Sequence, residues 1–310
     1  MMTTSTKLGR LRSLAMARSY TKNLLACNLM DELDEFLNGF RHLRSGRPLR
    51  ATQKENVRQI VNQDDTLLFM AIGTGKTISV AASLDWLKRE GLFMRALILA
   101  PKKVAQMTWP NELDAWDHDW AITLKSAVGN ERHRLLAIES GCTAVSMNYE
   151  NIPWLLRQYP KGKLPFDLIV YDEIDKMKDP NSMRFKGDLS SGQQGLKHRV
   201  NEFVVRIGTT ATPVPESALN LFAEAYLVCG DAAYGRSFEA FKQKYFIPTG
   251  FGRFKRYRLA PGLRNQFFDR IDPWVRRVEL EEDLELPERV DVEVLFDLPP
   301  KVRKEYNQLE

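Results

Sequence analysis

The chain has 310 residues, of which 44% are hydrophobic and 27% are charged. This length gives a prior of about two domains, and the composition is that of an ordinary globular protein. No apolar run approaches the roughly 18 residues of a membrane span, so we expect no membrane partner. The net charge of +5 allows a polyanionic partner but does not require one. Three widely separated cysteines, Cys27, Cys142 and Cys229, argue against a zinc site or a disulfide framework and suit a reducing compartment.

The N-terminus is basic, because five cations precede the first acid, Asp31: Lys7, Arg10, Arg12, Arg18 and Lys22. Such a segment is typical of an organelle transit peptide or of a basic helical arm ahead of a domain. We favour the arm and assign it residues 1–46. No secretory signal is visible.

Short apolar runs then alternate with helix-length amphipathic segments. The runs are 67–71, 96–100, 144–147, 168–171 and 203–207. Continuous apolar strands separated by helices predict an α/β fold, with a parallel sheet flanked by helices on both faces. Between the first two runs, KTISVAASLDWLKREG has apolar residues at helical spacing and ends at Gly91. In such sheets, ligands bind at the carboxyl ends of the strands.

Beyond Pro215 the pattern changes. Helices are predicted in ESALNLFAEAYLV and SFEAFKQKYF, followed by a basic aromatic stretch and by LPERVDVEVLFDLPP, which alternates like a strand. We therefore expect residues 47–230 to form the lobe that contains the sheet, and residues 231–310 to form a helical and strand-containing extension.

The stretch LLFMAIGTGKTISV resembles a phosphate-binding loop between a strand and a helix. The glycines of Gly73-Thr74-Gly75 let successive backbone N–H groups face one centre, as phosphate oxygens require. Lys76 would contact the β- and γ-phosphates, and the Thr77 hydroxyl would bind Mg²⁺. The strict pattern has a glycine where Met70 stands, and we expect this difference to be tolerated because that position contacts phosphate only weakly. The alternative is a tight strand–helix turn with an exposed lysine.

The stretch FDLIVYDEID ends an apolar run with an acidic pair. Asp172 can supply a second oxygen ligand for Mg²⁺, and Glu173 can polarise a water molecule. Alone, such a pair could be a surface turn. Together with the glycine loop it predicts a site for ATP and Mg²⁺.

Several motifs in order resemble those of superfamily 2 helicase-like ATPases, most of all the Swi/Snf branch of DNA translocases, from about residue 47 to residue 310. LRATQKENVRQI resembles the segment that reads adenine, in which Gln53 could pair bidentately with the base. ALILAPKKVAQMTWPNEL resembles a motif with a nucleic-acid-contacting loop, then a tryptophan and a glutamate. VSMNYENI, YDEIDKMKDPNSMRF and RIGTTATPVPESALNLFAEAYL resemble the serine/threonine-rich strand end, the acidic motif and the third motif.

This resemblance implies a RecA-like lobe that binds ATP and Mg²⁺ and acts on nucleic acid, with duplex DNA as the expected partner. It also implies that the hydroxyls of Thr209, Thr210 and Thr212 couple the phosphate site to the DNA side, with Thr210 and Thr212 as the selected coupling residues, although all three could be ordinary β-branched residues at a strand end. The family tends to have histidine or glycine where Asp175 stands, which leaves the contribution of Asp175 to this coupling open. Compact variants of this kind resemble phage and mobile-element helicases.

Basic residues supply candidate nucleic-acid contacts. Lys102 and Lys103 follow a strand end, where they could reach a phosphate backbone or form a solvated pair. Residues 251–277 combine eight arginines or lysines with Phe251, Phe254 and Tyr257, and from this stretch we select Arg253 and Arg256. These arginines could instead pack on the protein's own acidic face. Trp116 and Trp120 have helical spacing, which predicts a buried helix face.

The resemblance further implies a second RecA-like lobe, in cis or in trans, because these motors use two lobes and one set of motifs is present. DLPPKVRKEYNQLE is similar to the linker between lobes, so we expect a fragment or half of a split motor that is weakly active alone. A strand-separating, restriction-type or RNA helicase motor is an alternative, as is a P-loop phosphotransferase or nucleotide switch. We expect a cytoplasmic location, in the host cytoplasm for a viral protein and in the nucleus or an organelle for a eukaryotic one.

Overall fold

The structure is a computed structural model that describes residues 26–188, 190–211, 217–249, 256–278 and 297–308. The α-helices are α1 (Ala26–Asn38), α2 (Ala51–Asn62), α3 (Lys76–Arg89), α4 (Trp109–Asp114), α5 (Glu131–Glu139), α6 (Ile152–Gln158), α7 (Leu221–Cys229), α8 (Phe238–Tyr245), α9 (Arg264–Asp269) and α10 (Pro300–Tyr306). The strands are β1 (Arg41–His42), β2 (Asp65–Met70), β3 (Ala96–Ala100), β4 (Trp116–Asp117), β5 (Leu124–Ser126), β6 (Ala144–Asn148), β7 (Leu168–Asp172), β8 (Gly187–Asp188), β9 (Gln193–Gln194), β10 (Val205–Thr210), β11 (Phe246–Thr249), β12 (Arg256–Leu259) and β13 (Val275–Val278). A π-helical turn, Val104–Thr108, precedes α4, and short 3₁₀ turns occur at Tyr149–Asn151, Ile174–Met177, Leu196–His198, Val200–Glu202, Ala218–Asn220 and Asp272–Trp274.

A seven-stranded sheet with the order β13-β2-β10-β7-β3-β6-β5 organises the described residues. All of its neighbouring strands pair in parallel. The five predicted apolar runs are its five adjacent inner strands, so the predicted parallel sheet is confirmed. The predicted run 203–207 is displaced in the structure, where the strand is Val205–Thr210. The two edge strands, β5 and β13, were not predicted because both contain charged side chains.

Two hydrophobic cores lie on opposite faces of this sheet. Successive residues of a strand point to opposite faces, and accordingly Leu67 and Phe69 belong to one core while Leu68 and Met70 belong to the other. Residues of α1, α2, α3 and α4 pack in the second core, and residues of α5 to α9 pack in the first. Helices therefore cover both faces, as the continuous apolar strands predict.

The helix predicted after the glycine loop is α3, and Gly91 follows it with φ of 66°. The two helices predicted beyond Pro215 are α7 and α8. The helix predicted around Trp116 and Trp120 is wrong, since Trp116 lies in β4, which pairs with β1. The indoles still contribute to a core, where both stack edge-on against Phe40.

Both ends of the predicted lobe are tied to the described sheet. In α1, which belongs to the predicted arm, Leu33 and Leu37 are buried in the second core. The strand β13 lies in the predicted extension, yet its residues pair with Leu67 to Met70. The domain boundaries stay a prediction, and most of LPERVDVEVLFDLPP lies outside the described residues. Within the described ranges, no helix is long and apolar enough to cross a membrane.

Candidate functional site

The glycine loop joins β2 to α3 at the carboxyl edge of the sheet. Gly73 and Gly75 have φ of 85° and 79°, a left-handed conformation that favours glycine. Thr74 is buried, and its hydroxyl donates to the Ala71 carbonyl at 2.7 Å, which closes the turn. Because α3 begins at Lys76, its unpaired N-terminal N–H groups lie at the same edge, a geometry that suits an anion.

The Lys76 ammonium lies within this loop, where Nζ donates to the carbonyls of Met70 at 3.0 Å and Ala71 at 3.2 Å. Partial burial lowers the pKa of Lys76, against the opposing effect of the negative charges of Asp172 and Glu173. The lysine and the acidic pair are therefore electrostatically coupled, although they are about a hundred residues apart in the sequence.

The glycine position of the strict pattern is occupied by Met70, and the structure shows why its side chain fits. Glu173 is the only non-glycine residue with positive φ among the described residues, so Met70 needs no left-handed backbone. Its side chain is buried in the second core, where Sδ accepts from Asn56 Nδ2 at 3.4 Å. Met70 presents only its carbonyl to the loop, which any residue can supply.

The acidic pair ends β7, two strands away from β2 in the sheet. The Asp172 carboxyl is 5% exposed; Oδ2 accepts a hydrogen bond from Trp109 Nε1 at 2.9 Å, and Oδ1 accepts one from the Thr209 hydroxyl at 2.8 Å. Burial raises the pKa of Asp172, while these two hydrogen bonds, the charge of Lys76 and a hydrogen bond from the Glu173 backbone N–H act against the shift. The carboxyl is thus held in one orientation.

Glu173 has a different environment, with φ of 58° and ψ of 59° and a side chain that is 44% exposed. A non-glycine residue in this region is strained, and such strain is concentrated at functional sites. Partial burial raises the pKa of Glu173; the nearby Lys176 opposes this shift, and the carboxylates of Asp172 and Asp175 add to it.

Gln53 lies on α2 and reaches the glycine loop. Its Oε1 accepts from the Arg50 backbone N–H at 2.9 Å, and a Cβ on Gly75 would lie 2.0 Å from its Nε2. The Arg50 guanidinium also donates to the Gly73 carbonyl at 3.3 Å. The structure therefore brings the predicted adenine-reading segment against the predicted phosphate loop, because α2 packs on α3.

The threonines of the third motif point to opposite faces of β10. Thr209 contacts Asp172, whereas the Thr210 hydroxyl lies 3.4 Å from Asp175 Oδ1. The alternation of side chains along a strand explains this division. The sequence motif grouped Thr209 with Thr210 and Thr212 but did not identify Thr209 as the partner of Asp172. Thr212 lies outside the described residues.

Trp109 was noted in the sequence only as part of a motif. It is fully buried and donates to the carboxyl of Asp172, and the Tyr149 hydroxyl donates to the Asp172 backbone carbonyl at 2.9 Å. A buried tryptophan usually needs an acceptor for its N–H, but nothing in the sequence names Asp172 as that acceptor.

The candidate nucleic-acid residues are dispersed. Lys102 and Lys103 are exposed just beyond β3, and Lys102 lines a cavity of about 540 Å³ with Glu150, Asn151 and Lys176. Arg256 is exposed on β12, and Arg253 lies outside the described residues. Two arginines of the same basic stretch have partners within the protein, since Arg276 donates to Asn56 at 2.7 Å and Arg277 pairs with Asp272 at 2.9 Å.

The fold and the site together define a helicase-like ATPase domain with a phosphate-binding loop. The chain belongs to the DEAD/DEAH box helicase family, whose profile matches residues 50–221. It is similar to protein p41 of Acyrthosiphon pisum secondary endosymbiont phage 1, with 27% identity over 248 residues that cover 78% of this chain and 53% of the relative.

Solved structures with a similar fold include the Sulfolobus solfataricus SWI2/SNF2 ATPase core domain, with 19% identity and a TM-score of 0.58 over 84% of this chain and 50% of that one. The same core in complex with dsDNA has 17% identity and a TM-score of 0.56, over 75% of this chain and 44% of that one. This chain thus spans about half the length of these relatives. The predicted RecA-like fold and the resemblance to Swi/Snf ATPases are confirmed, the latter at the level of the fold.

Proposed function

We propose that this chain is the ATP-binding lobe of a nucleic-acid-dependent motor that hydrolyses ATP with Mg²⁺ and moves along duplex DNA. The observation that carries the proposal is the convergence of the glycine loop, Lys76 and the Asp172–Glu173 pair at the carboxyl edge of one parallel sheet. In this proposal the loop N–H groups and Lys76 bind the phosphates, and Gln53 reads the adenine.

The donor set fits Mg²⁺. The Thr77 hydroxyl follows Lys76 at the start of α3, and Asp172 supplies a carboxylate at the carboxyl end of β7, so both candidate ligands are the hard oxygens that Mg²⁺ prefers. When bound, Mg²⁺ neutralises charge that develops on the phosphoryl oxygens. Glu173 is accessible to solvent and has a raised pKa, which suits a residue that orients a water molecule and accepts its proton.

Duplex DNA is proposed as the partner from the Swi/Snf-like order of the motifs and from the exposed lysines 102 and 103 beyond β3. The Sulfolobus solfataricus relative that shares this fold was solved with dsDNA. We assign the arginine finger to a second RecA-like lobe, in cis or in trans. Such a finger is worth about 10³–10⁵ in turnover, or roughly 4–7 kcal/mol of barrier.

Binding of a fluorescent ATP analogue with Mg²⁺ tests the site directly. Lys76→Ala should abolish this binding because it removes the charge at the centre of the loop, whereas Lys125→Ala, an exposed lysine on β5, should leave it unchanged. Circular dichroism of both variants controls for folding. Unchanged affinity in folded Lys76→Ala protein would refute the assignment.

Turnover tests the second half of the proposal. The purified chain should release phosphate at well below about one per second, and addition of the second lobe should give DNA-stimulated turnover. Faster release by the chain alone would show that one of its own arginines completes the site.

A further inference from the structure

The carboxyl of Asp172 is held from two sides by different elements. The Thr209 hydroxyl comes from the adjacent strand β10, and the Trp109 indole comes from the first residue of α4. Trp109 is fully buried, so its N–H has no access to water and depends on this acceptor. Neither contact involves the glycine loop.

Trp109 belongs to one continuous helical segment, residues 102–114, whose first residues are the exposed lysines 102 and 103. The π-helical turn Val104–Thr108 lies between the lysines and Trp109. In this turn the backbone N–H of Trp109 donates to the Val104 carbonyl, five residues back. The buried Ser146 hydroxyl donates to the Ala105 carbonyl at 2.6 Å and fixes this turn to β6. One element thus has an exposed basic end and an end that contacts the acidic motif.

The π turn differs from the rest of this helical segment in its hydrogen-bond register. It holds one residue more than an α-helical turn, and such turns are often found at functional sites. If the turn reverted to α geometry, the residues beyond it would rotate by ~100° about the helix axis. The indole N–H of Trp109 would then no longer reach the Asp172 carboxyl.

We propose that Trp109 is a positioning residue that couples nucleic-acid occupancy at Lys102 and Lys103 to the orientation of the Asp172 carboxylate. The inference rests on the proposed function, because it takes Asp172 as the Mg²⁺ ligand and a nucleic-acid backbone as the partner of the lysines. A backbone phosphate bound by the lysines stabilises the π-helical arrangement, and this arrangement keeps Asp172 ready for Mg²⁺. Binding of Mg²⁺ and nucleotide must then strengthen nucleic-acid binding by the same factor.

Another tryptophan provides a matched control. Trp154 is 7% exposed, and its indole N–H meets no acceptor within the described part of the chain. Trp109→Phe and Trp154→Phe therefore make the same chemical change at two buried sites, and only the first removes a hydrogen bond to the acidic motif.

The test is a titration with a fluorescent ATP analogue, with Mg²⁺ or with EDTA, and with or without duplex DNA. In wild type, Mg²⁺ should tighten binding, and DNA should tighten it further by a coupling factor of about 5- to 150-fold. Trp109→Phe should weaken the Mg²⁺-dependent affinity roughly 10- to 100-fold, the usual effect of losing a hydrogen bond to a charged group. Its coupling factor should fall towards one, while binding in EDTA and the behaviour of Trp154→Phe should match wild type.

The outcomes separate the two proposals. If wild type binds the analogue without any effect of Mg²⁺, the proposed function fails. If wild type shows both effects and Trp109→Phe retains the same coupling factor, the relay is refuted. The double variant Lys102→Ala/Lys103→Ala should lose the coupling factor but keep the Mg²⁺ effect without DNA.

Should Trp109→Phe not fold, the indole resonances of ¹⁵N-labelled wild type give the same answer. The chain has six tryptophans, so the Trp109 resonance can be assigned by elimination through the other five single Trp→Phe variants. It should move when duplex DNA is added alone and when Mg²⁺ and nucleotide are added alone. A resonance that responds to nucleotide but not to DNA refutes the relay.

Discussion

Replacement of Gln53 should separate base selection from helix capping. Gln53 is 5% exposed, its Oε1 accepts from the Arg50 N–H at 2.9 Å, and its Nε2 lies against Gly75. Gln53→Glu keeps an oxygen for the Arg50 N–H but loses the amide donor that a bidentate contact with adenine needs. Gln53→Ala loses both.

The two variants therefore differ in stability but share one effect on the nucleotide. Loss of the bidentate contact should cost about 1–3 kcal/mol of discrimination, so the ratio of ATP to GTP affinity should fall roughly 5- to 150-fold in both variants. Only Gln53→Ala should also lose about 0.5–1.5 kcal/mol of unfolding free energy, because it leaves the Arg50 N–H without its acceptor. The ratio of affinities is the relevant quantity, because the new negative charge of Gln53→Glu should weaken the binding of both ATP and GTP.

Competition between a fluorescent ATP analogue and unlabelled ATP or GTP gives the ratio, and urea unfolding gives the stability. If both variants keep the wild-type preference for ATP, the adenine is read elsewhere and Gln53 serves only to hold the start of α2. If Gln53→Glu is as unstable as Gln53→Ala, the capping argument fails.

Three further predictions follow from the described contacts. Asp85 is fully buried, and burial alone would raise its pKa. Hydrogen bonds from His118, Arg89 and the Ile122 N–H outweigh this effect, so that the pKa of Asp85 lies below its ordinary value. Asp85→Asn should therefore cost about 1–3 kcal/mol of unfolding free energy, and the difference from wild type should be constant from pH 7 to pH 5 and shrink only below about pH 4. Burial raises the pKa of Glu224 well above its ordinary value, with support from the charge of Asp175 and opposition from Lys178. The folded chain therefore keeps a proton that the unfolded chain releases at pH 7. Glu224→Gln should accordingly increase the free energy of unfolding at pH 7, measured in urea, and this increase should vanish near pH 4. Arg256 and Arg258 share the exposed face of β12. Replacement of both by alanine should make the plot of log binding constant for duplex DNA against log salt concentration shallower by about two units, whereas Arg276→Ala/Arg277→Ala should leave this slope unchanged.

The sequence was sufficient for the inner sheet because that sheet is apolar on both faces. Five runs of continuous apolar residues became five adjacent strands, and the glycines ended or opened helices where predicted. The edge strands escaped this reasoning for a physical reason. In β13, Arg276 donates a hydrogen bond to Asn56 and Arg277 forms an ion pair with Asp272, while the backbone of the strand pairs with β2. An arginine pair that is typical of a binding surface is therefore part of the fold.

The candidate site was less accessible from the sequence because its contacts depend on strand order. Motifs named Lys76, Asp172 and Gln53, but only the arrangement β2-β10-β7-β3 places Thr209 beside Asp172 and brings the segment after β3 to the same carboxyl. The alternation of side chains along β10 could have shown that Thr209 and Thr210 face opposite ways. It could not have shown which of them meets Asp172.

The energy of the Trp109 hydrogen bond is the reason why this contact matters more than a packing interaction would. A hydrogen bond to a charged group contributes about 1.5–3 kcal/mol, and the coupling energy between two sites in a protein is typically about 1–3 kcal/mol. The loss of one donor from Asp172 is therefore as large as an entire coupling energy. The carboxyl is 5% exposed, so water has little opportunity to replace the lost donor. Thr209 holds the other oxygen from a strand that pairs on both sides and has little freedom to move. Of these two side-chain donors, only Trp109 lies on an element with a π turn, and the proposed relay from the lysines therefore reaches Asp172 through Trp109.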